Sequence, residues 1–230
     1  MIGIIGAMAE EVQAIKDLME IEKIEINNGY HFIEGKLEGK DVVLLRGGVG
    51  KVNAAISATL LLTSYDIECV INIGTAGGLI TDEQEVGDVV ISDRIVHHDA
   101  DVTGFGYPMG AIPGQPVYFE PDPQLLNKAK EILEDINITC HVGLIASGDS
   151  FICRQDQVDL ILKNFPDSMC SEMEAATIAQ VCTVFKKKFI ITRSLSDVFN
   201  KGESTTQFEE FLAKAAASSA KMCAELVKSL

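Results

Sequence analysis

The chain has 230 residues, 47% of them hydrophobic and 23% charged, which supplies enough apolar material for a full core and excludes disorder and collagen-like repetition. Nineteen Lys and Arg against thirty-four Asp and Glu leave a formal net charge of −15, which repels phosphate backbones and anionic lipid surfaces and excludes nucleic acid as a natural partner. Six scattered cysteines form no C-x-x-C pair and read as reduced thiols of a cytoplasmic protein, not as a disulfide framework or zinc site.

Residues 1–11 lack the basic start of a signal peptide, and no apolar run reaches the ~18 residues needed to span a bilayer. Short apolar runs alternate with helix-period stretches, which predicts an α/β fold, read as one domain over 1–230. The spacing predicts a strand over 2–5 and a helix over 9–20, with Met8, Val12, Ile15 and Met19 on one face. A hairpin over 31–37 and 41–46 follows. Val52, Ile56 and Leu60 then mark a helix, and 69–73 a buried strand. Further strands are expected at 86–96, 141–147 and 188–194, and helices at 124–135, 155–164 and 175–185. A last helix over 208–230 carries Phe208, Phe211, Ala215, Met222 and Leu226 on one side and Lys214, Lys221 and Lys228 on a solvated one. The long irregular stretch 97–116 holds Val102, Phe105, Tyr107, Met109 and Ile112, too apolar to lie bare, so it should cover something or be covered by a partner subunit.

Three motifs are misleading. Gly47-Gly48-Val49-Gly50-Lys51 lacks the phosphate-loop spacing, since Leu45 and Val52 stand where glycine and Ser or Thr are required. Gly74-Thr75-Ala76-Gly77-Gly78 follows a strand but lacks the dinucleotide spacing and reads as a tight turn. His97-His98-Asp99-Ala100-Asp101 is rich in possible metal ligands without a metal-site spacing, which favours polar contacts within a loop.

The informative residues are acids where carbon should be buried. Glu11 borders the apolar face of the first helix while Glu10 falls on its solvated side; it is either a first-turn acid favoured by the helix dipole or a group aimed into a site. Glu174 stands in line with Ile178, Val181 and Cys182 at a helix start, so its carboxylate must be hydrogen-bonded, paired or ligand-facing. Asp197 follows a strand, where ligands of open α/β sheets bind, although an N-cap or turn aspartate fits the same position.

The ordered set Gly3-Ile4-Ile5-Gly6-Ala7-Met8 with Glu11, Gly50-Lys51-Val52, Gly74-Thr75-Ala76-Gly77-Gly78, His98-Asp99-Ala100-Asp101-Val102, Ser147-Gly148-Asp149, Glu172-Met173-Glu174-Ala175 and Ser196-Asp197 closely resembles the bacterial 5′-methylthioadenosine/S-adenosylhomocysteine nucleosidases. The resemblance implies a nucleoside phosphorylase-like fold, with a mixed central sheet flanked by helices, in a homodimer that needs neither cofactor nor metal. It implies hydrolysis of the N-glycosidic bond of adenine nucleosides. Asp197 would then protonate N7 of adenine, Glu11 would deprotonate the attacking water, and Glu174 would hold ribose hydroxyls. Met8 and Met173 would line the sugar with Glu172 and Arg193 close by, beside the Thr75, Ala76 and Gly77 turn. Phe151 would stack on adenine, whose edge would meet the backbone of Ile152 and the side chain of Asp197, next to Ser196. Phe208 would cover the 5′-alkylthio group, and Val102, Phe105 and Pro113 would reach across from the partner subunit. Burial together with Glu172 and Glu174 would raise the pKa of Asp197, with Arg193 opposing.

Two rivals remain on the same fold: a phosphorylase, which needs cations for phosphate where this chain has only Arg46, Arg94, Arg154 and Arg193 as arginines, and a non-catalytic nucleoside-binding protein, which need not keep all three acids.

Overall fold

Ile2–Gly6, one residue longer than the strand expected over 2–5, is buried along its whole length, and the computed structural model, which describes residues 1–80 and 82–230, builds the sheet outward from it. In chain order the elements are β1 (Ile2–Gly6), α1 (Ala9–Lys16), β2 (Glu20–Asn27), β3 (Tyr30–Leu37), β4 (Lys40–Arg46), α2 (Lys51–Ser64), β5 (Cys69–Asn72), β6 (Thr75–Gly78) and β7 (Val89–His97). They continue with α3 (Pro123–Asp135), β8 (Cys140–Ser147), α4 (Gln155–Asn164), β9 (Ser168–Glu172), α5 (Ala175–Val184), β10 (Lys188–Val198) and α6 (Ser204–Ser229).

The strands form one mixed sheet in the order β2-β3-β4-β1-β5-β10-β6-β9-β8-β7. β7 also pairs with β10, so the last five strands close on themselves. The eleven-residue β10 joins the two halves: Lys188 to Ile191 run parallel to β5, and Ser194 to Val198 run parallel to β6. One face is covered by α2 and α5, through Ala54, Ala58, Leu61, Ile178 and Cys182. The other is covered by α1, α3 and α6, through Val12, Ile15, Ala129, Leu133, Met222 and Leu226. Among the described residues no helix is long and apolar enough to cross a membrane.

The mixed sheet flanked by helices is as expected, with local corrections. The predicted helix over 9–20 stops at Lys16, and Glu20–Asn27 turns into an edge strand. β6 and β9 were not anticipated; the glycine turn at Thr75–Gly78 is itself a short strand. The strand expected to end at 194 runs on to Val198, so Asp197 lies within it, past a register shift between Leu195 and Asp197. In α2 the buried stripe is Ala54, Ala58, Leu61 and Leu62, whereas Val52 and Ile56 face outward.

Candidate active site

The carboxyl ends of β1, β5, β9 and β10 meet the amino end of β6 around a cavity of about 220 Å³. Its wall includes Met8, Glu11, Thr75, Ala76, Gly77, Phe151, Glu172, Met173, Glu174, Arg193, Ser196, Asp197 and Phe208, so thirteen of the site residues expected from the sequence come together. Ile152 packs instead toward the cluster around Leu144 and Val158. Val102, Phe105 and Pro113 lie off the cavity on the loop after β7. Sequence reasoning missed Ala7, Val49, Ile73, Gly74 and Ser171, which also line it. Val49 and Gly74 sit inside the two glycine-rich turns, and those turns were the available signal.

Glu11 is 1% exposed and held at both oxygens. Oε2 accepts the N–H groups of Ala7 (2.8 Å) and Met8 (3.0 Å), and Oε1 accepts the N–H of Thr75 (3.0 Å) and its hydroxyl (3.3 Å). The first-turn acid and the site acid are therefore one group: the bonds that finish the head of α1 also aim the carboxylate at β6.

Glu174 stands at the N-cap of α5, yet its side chain does not cap that helix. Its Oε1 takes the N–H of Gly50 at 2.7 Å, across from the turn that opens α2. Gly50 has φ 91°, a conformation in which a side chain is strained, so this turn explains a glycine that mimicked a phosphate loop. Burial first, then the neighbouring Glu172 carboxylate, push the pKa of Glu174 up to about 8.

The amides at the head of α5 are satisfied by Glu172, whose Oε2 accepts from Glu174 (3.0 Å) and Ala175 (2.9 Å). The same oxygen takes Arg193 Nη2 (2.7 Å) and Nε (3.2 Å) in a fully buried ion pair. The other Arg193 donors reach Asn72 Oδ1 (2.7 Å), the Thr192 carbonyl (2.9 Å) and the Asn72 carbonyl (3.5 Å). All five N–H groups of this guanidinium are thus engaged within the protein.

Asp197 is 2% exposed. Burial raises its pKa, and hydrogen bonds from Ser196 (3.0 Å) and Ser204 oppose the rise. The expected influence of Glu172, Glu174 and Arg193 on this group is replaced by those two hydroxyls. A Cβ at position 77 would stand 3.1 Å from Asp197 Oδ2, so the glycine there lets β6 pass close to the acid. Phe151 and Phe208 meet edge to face at 5.8 Å over the opening, one from the loop after β8 and one from the first turns of α6. Outside the cavity Asp99 pairs with Lys51 and accepts the Asp149 N–H (3.0 Å), so the acidic part of the histidine-rich stretch fastens loops together.

A family model described as the phosphorylase superfamily matches residues 1–228, which defines the class of protein that this fold and site represent. A 5′-methylthioadenosine/S-adenosylhomocysteine nucleosidase of Marinomonas sp. (strain MWYL1) is 49% identical over 99% of this chain and 98% of its own. The crystal structure of the Neisseria meningitidis nucleosidase of that name, in complex with methylthio-immucillin-A, matches with a TM-score of 0.95 at 41% identity, covering 100% of this chain and 99% of that one. The Colwellia psychrerythraea 34H nucleosidase, in complex with adenine, matches with a TM-score of 0.95 at 39% identity, covering 100% and 95%. The chain belongs to the 5′-methylthioadenosine/S-adenosylhomocysteine nucleosidase family.

Proposed function

We propose that this protein hydrolyses the N-glycosidic bond of 5′-methylthioadenosine and S-adenosylhomocysteine, releasing adenine and a thioribose, and so serves methionine salvage and the recycling of S-adenosylmethionine by-products. The whole of 1–230 acts as one nucleosidase domain. The observation that carries this reading is the convergence of three buried acids, Glu11, Glu174 and Asp197, on a cavity whose one cation among the described lining residues, Arg193, has no N–H left for an anion.

Breaking the bond between C1′ and the purine builds positive charge on the ribose and negative charge on the leaving base. Asp197, whose burial favours the protonated form, gives its proton to N7 as the electron pair of the bond moves into adenine. Glu11, held at both oxygens by four donors, accepts a proton from water as the water oxygen bonds to C1′. Glu174 faces the ribose hydroxyls beside Met8 and Met173, and Phe151 and Phe208 supply apolar surface for the purine and the alkylthio group. Methylthioadenosine in phosphate-free buffer should release free adenine at the same rate as in buffered phosphate. Appearance of a ribose 1-phosphate, formed only when phosphate is added, would replace hydrolysis by phosphorolysis, and absence of turnover in both would leave a binding protein.

The same reading makes the protein a cytoplasmic homodimer in which Val102, Phe105 and Pro113 complete the partner's site. It is supported by Phe105 at 85% and Val52 at 70% exposure, with Tyr107, Val49 and Ile56 also bare; such a group of large apolar side chains is rare on a monomer. The Lys51–Asp99 ion pair ties the head of α2 to the start of the loop that carries Phe105. Phe105→Ala should raise KM by about tenfold, in line with loss of a buried aromatic anchor, and leave folding unchanged. A monomer of full activity in sedimentation and kinetic assays rejects the shared site.

A further inference from the structure

Asn72, which composition and spacing did not single out, ends β5 inside the wall behind the cavity and is 1% exposed. Its Nδ2 donates to the Ile5 carbonyl of β1 (2.9 Å) and to the Ile73 carbonyl (3.3 Å). With the nitrogen side committed to carbonyls, Oδ1 can only face the other way, and there it receives Arg193 Nη2 at 2.7 Å. The guanidinium, so oriented, presents Nε and Nη2 to a single oxygen of Glu172, which also receives the amides of Glu174 and Ala175. The other Glu172 oxygen accepts the Ser147 hydroxyl, which in turn accepts the Ala176 N–H at 2.8 Å. The first amides of α5 therefore hang on one carboxylate, and that carboxylate is placed by an arginine that Asn72 holds.

We propose that Asn72 is a positioning residue for the sugar end of the site: through Arg193 and Glu172 it sets the head of α5 and thereby the Glu174 carboxylate. The proposal rests on the reading above in which Glu174 binds the ribose hydroxyls. A strand-stitching role alone, joining β1 to β5, would weaken the fold and leave Glu174 untouched, so the two roles differ in what they couple to.

The test is a double-mutant cycle on methylthioadenosine hydrolysis with Asn72→Ala, Glu174→Gln and the double variant. Asn72→Ala should lower kcat/KM by about tenfold or more in the parent background, and by less than about threefold once Glu174 is already glutamine. A 3′-deoxy analogue of the substrate should show the same loss of sensitivity to Asn72→Ala. Equal factors in both backgrounds overturn the proposal while leaving the assigned reaction intact, whereas a parent that releases no adenine overturns the assigned reaction and the proposal with it. Should Asn72→Ala fail to fold, Asn72→Leu, which keeps the volume and removes the acceptor facing Arg193, takes its place in the cycle with the same two outcomes.

Discussion

Asp197→Asn should bind methylthioadenosine and cleave it about two to four decades more slowly, the range that loss of a general acid commonly produces. An asparagine fits the same space, can accept the Ser196 hydroxyl that now donates to Oδ1 at 3.0 Å, and can donate a hydrogen bond to N7, but it has no proton to deliver. The pH dependence has a definite sign. Burial raises the pKa of Asp197, so the protonated, competent form is depleted as pH rises through that elevated value, and parent kcat should fall along the alkaline limb. The asparagine variant should lose that limb. It should also be no less stable than the parent at alkaline pH: a group whose folded pKa is raised contributes stability below its unfolded value and loses it as pH climbs through the folded one. A substrate whose leaving group departs without protonation should recover most of the lost rate. Cleavage of ordinary methylthioadenosine at close to the parent rate would remove Asp197 from the mechanism.

Glu11→Gln should abolish measurable turnover, with a loss of about three decades, while a non-cleavable nucleoside analogue still binds within about tenfold of the parent. The geometry makes the change severe at the chemical step. The carboxylate satisfies two main-chain N–H groups on one oxygen and the Thr75 amide and hydroxyl on the other. Glutamine offers one oxygen, so whichever pair keeps it, the other pair meets an NH2 group: the Thr75 hydroxyl can turn to accept from it, but a main-chain N–H facing it loses its partner. The base is lost and its orientation with it. Isothermal titration with the analogue beside a kcat measurement separates the possibilities, and equal losses in affinity and rate would make Glu11 a binding group.

Glu11 and Glu174 were legible because each sat on or beside an apolar helical stripe, and Asp197 because it followed a strand, where ligands of open α/β sheets bind. What held them was not legible. Glu172 and Arg193 were expected beside the sugar, and they do line the cavity, but their donors and acceptors are largely spent on one another, on Asn72 and on the head of α5. No short-range pattern links position 72 to 193. β2 was missed for a different reason: its eight residues include four charged ones and nearly all are exposed, so Ile21, Ile24 and Ile26 mark no buried face, and only Glu20 fell within the predicted helix. β9 opens on serine and closes on glutamate, and its five residues are too few for a period. On α2 the apolar residues that caught attention, Val52 and Ile56, face outward, while Ala54 and Ala58 are buried together with Leu61 and Leu62. Helix burial there is set by how closely α2 packs on α5, and small residues permit that approach.

The groups that hold Glu11, Glu174 and Glu172 are for the most part main-chain amides, those of Ala7, Met8, Thr75, Gly50, Glu174 and Ala175. An amide is supplied by every residue except proline, whichever side chain it bears. Geometry held in this way is insulated from sequence drift: the side chain at a position such as 7 can be exchanged over evolutionary time without moving the acids. A relative that differs at half of its positions can then keep the same arrangement of carboxylates. The constraint falls instead on backbone shape, which at Gly50 strains any side chain, and none of the six positions can be filled by the one residue that lacks an N–H.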